Sequence, residues 1–262
     1  MRKDKVTQMI LAIDIGNTNV VIGVVDEDKI YFIERVATLK TKTEAEYAID
    51  LKILLELHNV EVSDITGGII SSVVPQITKM VQKAAQMVIS KDVLVLDNST
   101  KTGLKILIDN PEQLGSDMVA GAVAAIKRYS VPMVIVDMGT ATTLTVVDKD
   151  ENCLGGMIVP GVMVALESLT AHASQLHGIS LEAPKKVIGR NTIDCMVNGI
   201  VYSNADMIDG LVDRIESELG EKVNIVATGG LAKLITPYCR REITLDDDLL
   251  LKGLLIIYNM NK

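Results

Sequence analysis

Two matching stretches, one in each half of the chain, constrain the fold more than any other feature. Residues 11–28 read LAIDIGNTNVVIGVVDED: a buried strand, a polar turn, and a second strand ending in acidic residues. Residues 133–148, MVIVDMGTATTLTVVD, repeat the pattern, with Asp137 in the place of Asp14, Gly139 in that of Gly16 and Thr140 in that of Asn17. A carboxylate at the end of an apolar strand, followed at once by glycine and by amide or hydroxyl side chains, suits a backbone held close to a phosphate or a hydrated metal. A plain hairpin turn uses Gly and Asn for their permissive dihedrals, so one copy alone leaves both readings open. Two copies at half-chain spacing point to an α/β chain of two related domains, 1–128 and 129–262, whose Asp-bearing turns converge on one ligand across a cleft.

With 262 residues, 48% of them hydrophobic, the chain is long enough to bury two cores. A net charge of -8 supplies no broad basic face, which argues against nucleic acid or an acidic membrane as partner. A single Phe and no Trp leave little to stack bases on, and make the cores aliphatic. Cys153, Cys195 and Cys239 form no CxxC pair and are odd in number, which disfavours a disulfide framework or a cysteine zinc site and fits a reducing cytoplasm. The opening MRKDKVTQM is charged where a targeting segment would be apolar, and no apolar run reaches membrane-spanning length.

Periodicity predicts a third strand at 30–38 and a helix at 43–57 with Ala45, Ala48, Ile49, Leu51, Leu54 and Leu55 on its buried side. His58 ends that helix, where the dipole favours it without any catalytic role. A strand within 64–74 ends in Ser71 and Ser72 before Pro75; these hydroxyls either line the cleft or serve the turn. A helix at 76–90 and short strands at 93–96 and 104–108 follow, then an Ala-rich helix at 118–127. Asp117 stands at the edge of that helix. It is either an N-cap kept ionised by the dipole or, if it faces a substrate hydroxyl, a general base. The apolar run 119–126 is either a dimer face or simply buried in the first domain.

In the second half, Gly155-Gly156 and Pro160-Gly161 permit close backbone approach and could wall a small-molecule pocket. A helix is expected at 167–176, and a long one at 193–219 bent near Gly199 or Gly210. His172 and His177 are five apart, off the spacing of a helical metal pair. The basic loop 185–192 reads as solvated. A strand at 224–227 runs into Thr228-Gly229-Gly230, where amides of Gly229 and Gly230 can face a nucleotide, with the spacing of neither GxGxxG nor a P-loop. An acidic triplet, 246–248, and an apolar helix at 249–257 close the chain.

The segments DIGNTNVV, GSD, DMGTATT, GGMIVPG and ATGGLA, in this order, resemble type III pantothenate kinase, of the acetate-kinase, sugar-kinase, Hsp70 and actin superfamily. The resemblance implies two ribonuclease-H-like domains with a nucleotide cleft between them, in a homodimer that moves the γ-phosphoryl group of ATP to the 4′-hydroxyl of pantothenate. It places Asp14, Ile15, Gly16, Asn17, Thr18, Asn19, Val20 and Val21 at the ATP phosphates, with Mg2+ held through water by Asp14. Thr140 would also contact ATP, and Asp137 would bind a monovalent cation, K+ or NH4+. Asp117 would accept the proton of the pantothenate hydroxyl. Ile108, Gly115, Ser116, Met118 and Thr192 would contact pantothenate, Thr192 across the dimer interface. Such chemistry asks chiefly for in-line positioning and charge neutralisation, which these side chains can supply. The chain departs from the family pattern at Met118, where an Arg is usual, at Gly121, where Asn is common, and at Ile108, where Tyr is common. With that guanidinium gone, Lys185, Lys186 or Arg190 becomes the candidate grip on the carboxylate. The same departures leave open a non-catalytic nucleotide-binding relative, or a kinase of another small alcohol.

Overall fold

The computed structural model describes residues 8–262, so most of the charged leader lies outside the described residues. The chain forms two compact units. The first comprises the described residues up to Leu104, Asn110–Ala124 and Asp248–Lys262; the second comprises Lys105–Asp109 and Ala125–Asp247.

In the first unit, β1 (Met9–Ile15), β2 (Asn19–Val25) and β3 (Ile30–Ala37) form an antiparallel meander. After α1 (Glu44–Leu57), β4 (Ile65–Ser72) returns parallel to β1; after α2 (Pro75–Ile89), β5 (Val93–Val95) extends the sheet, in the order β3-β2-β1-β4-β5. Alternate residues of the strands, among them Leu11, Ile13, Ile15, Val20 and Ile22, pack with Tyr47, Leu51 and Leu55 of α1 and Ile77 and Val81 of α2. A capping box starts α1: the Thr43 hydroxyl accepts from the Glu46 amide while the Glu46 carboxylate accepts from the Thr43 amide. The buried stripe of α1 differs from the expected one, since Tyr47 is in it and Ile49 is 56% exposed. Positions 47, 51 and 55 recur every four residues, and two residues along a helix is over half a turn, which turns Ile49 outward.

The chain continues through β6 (Lys105–Ile106) and α3 (Ser116–Arg128) to β7 (Met133–Met138), β8 (Ala141–Val147) and β9 (Asn152–Pro160). Then come α4 (Val162–His172), α5 (Thr192–Leu219), β10 (Asn224–Thr228), α6 (Ala232–Ile235), β11 (Thr244–Leu245) and α7 (Leu249–Met260). The second sheet runs β11-β10-β7-β8-β9-β6. Apart from the edge strand β6, it repeats the first sheet: a meander of three strands, then two parallel strands on the other side of the first one. The repeated Asp-turn stretches are therefore the opening hairpins of two ribonuclease-H-like sheets. The α4 helix begins at Val162, earlier than expected, directly after Gly161. Asn191 caps α5 through its side chain, and α5 is continuous through Gly199 and Gly210 until Gly220 ends it in the left-handed region.

The units are not the simple halves expected at 128/129, because α7 packs on the first sheet. Three glycines make room for it. A Cβ on Gly23 would stand 2.6 Å from Leu251 Cδ1, one on Gly67 would stand 2.1 Å from the Tyr258 hydroxyl, and one on Gly253 would stand 1.9 Å from the Ala120 carbonyl of α3. The Ala-rich run of α3 is explained the same way. Ala120, Ala122, Ala124 and Ala125 are fully buried within the chain, so its apolar character gives no support to a dimer face.

Candidate active site

The first Asp-turn is built by strand alternation. Leu11, Ile13 and Ile15 enter the core under α1 and α2, which sends Ile10, Ala12 and Asp14 to the opposite face of the sheet. Ile15 still pairs with Val20, and the four residues between them make the turn, closed by the Gly16 amide donating to the Asn19 carbonyl at 3.0 Å. Thr38, at the end of β3, grips it from behind: its hydroxyl donates to the Gly16 carbonyl at 2.7 Å and its amide to the Thr18 carbonyl at 3.0 Å. Asn17, Thr18 and Asn19 are left exposed at the tip, while Val20 is buried and Val21 half-buried. The turn thus offers amide and hydroxyl groups to solvent with its backbone immobilised.

Asp117 belongs to the same unit. The α3 helix begins at Ser116, two residues earlier than expected, so Asp117 lies in its first turn and not at its cap. The Ser116 hydroxyl accepts from the Ser72 amide at 2.9 Å and also meets the Ser72 carbonyl at 3.2 Å and the Ser71 hydroxyl at 2.9 Å. This ties the helix start to the end of β4. In the parallel β1–β4 ladder Ser71 is the partner of Asp14, so both side chains lie on one face of the sheet. Asp117 Oδ1 accepts from the Met118 amide at 2.8 Å. A Cβ at Gly115 would stand 2.4 Å from Oδ1, so a side chain there would push the carboxylate out of this position. Burial lifts the Asp117 carboxyl above the ordinary range, and the hydrogen bonds from the Met118 amide and its own amide only partly offset this. Desolvation therefore outweighs the expected stabilisation of the ionised form, leaving a carboxylate with more appetite for a proton.

The second Asp-turn has the same plan with one residue fewer. Met138 pairs with Thr142, and Gly139 donates its amide to the Ala141 carbonyl at 3.0 Å across a three-residue turn. Thr228 of β10 is the ladder partner of Asp137, as Ser71 is of Asp14. Two glycines then crowd the turn. Gly229, at φ +97°, would place a Cβ 2.6 Å from Asp137 Oδ1; Gly161 would place one 2.3 Å from the Thr140 carbonyl, to which its own amide donates at 3.1 Å. The close approach expected of the glycine motifs is thus realised at Gly161 and Gly229, and also at Gly156, where a Cβ would stand 1.9 Å from the Leu144 carbonyl, while Gly230 is exposed with open space around it. Thr140 is exposed at the tip.

The remaining predicted contacts divide between the units. Gly115, Ser116, Asp117 and Met118 belong to the first; Ile108 and Thr192 belong to the second. Ile108 packs by Gly155, where a Cβ would stand 3.2 Å from its Cγ2. Thr192 opens α5 and lines an apolar hollow of about 270 Å³ with Leu169, Leu176, Cys195, Met196 and Ile200. Lys185, Lys186 and Arg190 are exposed, and the Asn198 side-chain amide pins their loop by donating to the Lys186 and Val187 carbonyls. The part played by Thr38 escaped sequence reasoning, as did the pairing of Thr228 with Asp137. A lone Thr after a strand carries no signal, and ladder partners far apart in the chain are not visible from spacing.

No cluster of three or more metal-ligating side chains occurs among the described residues. Hydrated magnesium needs no such cluster, taking one or two carboxylates and completing its shell with water and phosphate. Asp14, half-buried at a strand end beside an exposed turn, fits that requirement. Asp137, whose Oδ1 lies close under Gly229, is the carboxylate of this turn that could hold a cation.

A sequence profile of the family described as type III pantothenate kinase matches residues 10–214. A type III pantothenate kinase of Halalkalibacterium halodurans is 40% identical over 253 residues, covering 97% of this chain and 100% of that protein. One of Exiguobacterium sibiricum is 41% identical over 254 residues, with the same coverage. Among solved structures, component A of the (R)-2-hydroxyglutaryl-CoA dehydratase of Acidaminococcus fermentans is similar in fold alone, with a TM-score of 0.55 and 15% identity over 96% of this chain and 97% of that one.

Proposed function

We propose a division of labour among the residues above from the premise that this chain belongs to the type III pantothenate kinase family. It is a phosphotransferase that phosphorylates pantothenate with ATP to give 4′-phosphopantothenate, in the synthesis of coenzyme A. The turn from Asp14 to Val21 holds the phosphates, helped by Thr140, Gly229 and Gly230. Asp14 carries Mg2+ through water and Asp137 carries K+ or NH4+. When bound, these cations neutralise phosphate charge.

The acceptor segment is Gly115, Asp117 and Met118 with the backbone of Ser116, joined by Ile108 and Thr192. The pantothenate hydroxyl oxygen bonds to the γ-phosphorus, the bond from that phosphorus to the bridging oxygen breaks, and ADP leaves. Asp117 takes the hydroxyl proton. Phosphoryl transfer makes small demands on the base, so a carboxylate that is oriented and raised in basicity suffices. The observation that carries the reading is the tie from β4 to α3. It ties the start of α3, where the half-buried Asp117 has its carboxyl raised by desolvation, to Ser71, the ladder partner of Asp14.

A homodimer is part of the proposal, supported by the exposed Leu169, which lines the hollow at Thr192, and by the exposed Ile193 next to Thr192 in the chain. A cytoplasmic setting is supported by cysteines that are all free, and no helix among the described residues is long and apolar enough to cross a membrane. The test is ADP release coupled to pantothenate, with and without K+. Asp117→Asn is expected to abolish turnover and leave ATP binding intact; sustained turnover in that variant would overturn the assignment.

A further inference from the structure

Ser71 and Ser116 are 45 residues apart in the chain, yet their hydroxyl oxygens lie 2.9 Å from one another. Ser71 is fully buried in β4. A buried strand position that served packing alone would gain more from Val or Ala, because a sheltered hydroxyl costs free energy unless it is bonded. Ser116 is bonded on every side: its oxygen accepts from the Ser72 amide, and its single proton and remaining lone pair serve the Ser71 hydroxyl and the Ser72 carbonyl. The Ser116 hydroxyl is thereby committed to the protein. It is not available to grip an acceptor molecule.

The placement of the pair follows from the ladder. Asp14 is beside Ser71 across the β1–β4 pairing, Ser71 meets Ser116, and Ser116 precedes Asp117. Four residues therefore lead from the donor turn to the proton acceptor, all inside one compact unit. The end of β4 is itself fixed, since the Ser72 hydroxyl meets the Thr78 hydroxyl at 2.7 Å and accepts from the Val74 amide at 3.1 Å. Movement of α3 along its axis would break the Ser116 contacts first.

We propose that Ser71 and Ser116 are a pair of positioning residues that hold the Asp117 carboxylate at its working distance from the Asp14 turn. This rests on Asp117 being the proton acceptor. Neither serine touches a reacting atom; together they fix the group that does. Misplacement of a reacting group by about 1 Å costs on the order of a hundredfold in rate. Loss of the pair should therefore appear in kcat and leave ground-state binding alone.

The experiment is steady-state kinetics on the intact enzyme for Ser71→Ala, Ser116→Ala, the double variant and Ser116→Thr, with Asp117→Asn alongside and an unfolding midpoint for each. Either alanine variant should lose about ten- to a hundredfold in kcat while KM for ATP and for pantothenate stays within about twofold. The double variant should be no slower than the poorer single, as expected of groups acting as a unit. Ser116→Thr, which keeps the hydroxyl, should recover most of kcat. The proposal fails if both alanine variants keep kcat within about twofold, if the loss appears in KM, or if Ser116→Thr recovers nothing. Near-normal turnover by Asp117→Asn would instead overturn the role of Asp117, whatever the serines do.

Discussion

The α-carbon of Gly229 is drawn so close to the Asp137 carboxylate that a methyl group on it would stand 2.6 Å from Oδ1 and 2.6 Å from the Met138 amide nitrogen. The backbone there also has φ +97°, a region that side-chain-bearing residues rarely adopt. Gly229→Ala should therefore destabilise the protein by about 2 kcal/mol or more and displace Asp137. With Asp137 as the cation ligand, the K+ concentration for half-activation should rise. Thermal unfolding together with a K+ activation curve checks both; an unchanged curve in a destabilised but folded variant would separate Asp137 from the cation.

A second expectation concerns protons at Asp117. Its carboxyl is raised by burial in the folded enzyme, and in the role proposed for it the group must be ionised to accept the hydroxyl proton. The acidic limb of kcat/KM should therefore lie above the ordinary aspartate range, activity being lost as pH falls through the raised value. The same shift has a stability sign. A folded-state value above the unfolded one means that the ionised form costs stability at neutral pH, and that this cost is relieved as pH falls. Asp117→Asn should accordingly melt higher than the wild type at pH 7 while losing turnover, the trade expected where function holds a residue in an unfavourable environment.

Much of this could be read from the sequence because the relevant physics is local. A continuous apolar run, broken by Asp-x-Gly, fixes a strand end and a turn whatever surrounds it, and its recurrence at Asp137 exposed the doubling of the sheet. The state of Asp117 was not local. An aspartate at a helix start is ordinarily stabilised by the free amides, and only the packing of α3 against β4 and α7 shows that burial wins. The assignment of α7 to the first unit was hidden for the same reason. It depends on Gly23, Gly67 and Gly253 facing bulky partners that lie far away in sequence.

Thr38 should act on ATP and not on pantothenate. Its hydroxyl bond to the Gly16 carbonyl and its amide bond to the Thr18 carbonyl hold the donor turn from behind. Thr38→Val removes one neutral hydrogen bond, a loss of about 1 kcal/mol, or roughly fivefold in affinity if all of it falls on the turn. KM for ATP should rise by that order with KM for pantothenate unchanged, and Thr38→Ser should restore it.

The acceptor end carries a separate expectation. Met118 supplies no charge where an Arg would grip a carboxylate, and the space at the Gly121 side-chain position is open within 4 Å. The exposed cations of the 185–190 loop are the candidates for that grip. Alanine at Lys185, Lys186 and Arg190, made singly, should raise the pantothenate KM in at least one case without touching that of ATP. Three unchanged constants would remove the loop from the substrate site.

The last expectation concerns stability alone and isolates it from catalysis. Arg241 donates Nη1 to Glu216 Oε1 at 3.0 Å and Nη2 to Oε2 at 2.8 Å, a two-pronged pair that joins the last turns of α5 to the segment before β11. Lys222 Nζ adds a bond to Oε2 at 2.7 Å and the Val223 amide one to Oε1 at 3.2 Å, while Asp213 holds the other side of Arg241. The Glu216 side chain is 7% exposed, so these bonds compete with little water. They hold its carboxyl down at about 2, with the Arg241 bonds the largest cause. A depressed folded-state value gives stability that is complete above the unfolded glutamate range and is lost as pH falls towards about 2. Glu216→Gln leaves the guanidinium without its carboxylate and should cost about 3 kcal/mol near neutral pH. Urea unfolding of both proteins from pH 7 to pH 3 should show the gap narrowing only below the unfolded glutamate value. A gap that stayed constant over that range would mean that the amide's mismatched hydrogen bonding, and not the charge of the ion pair, sets the difference.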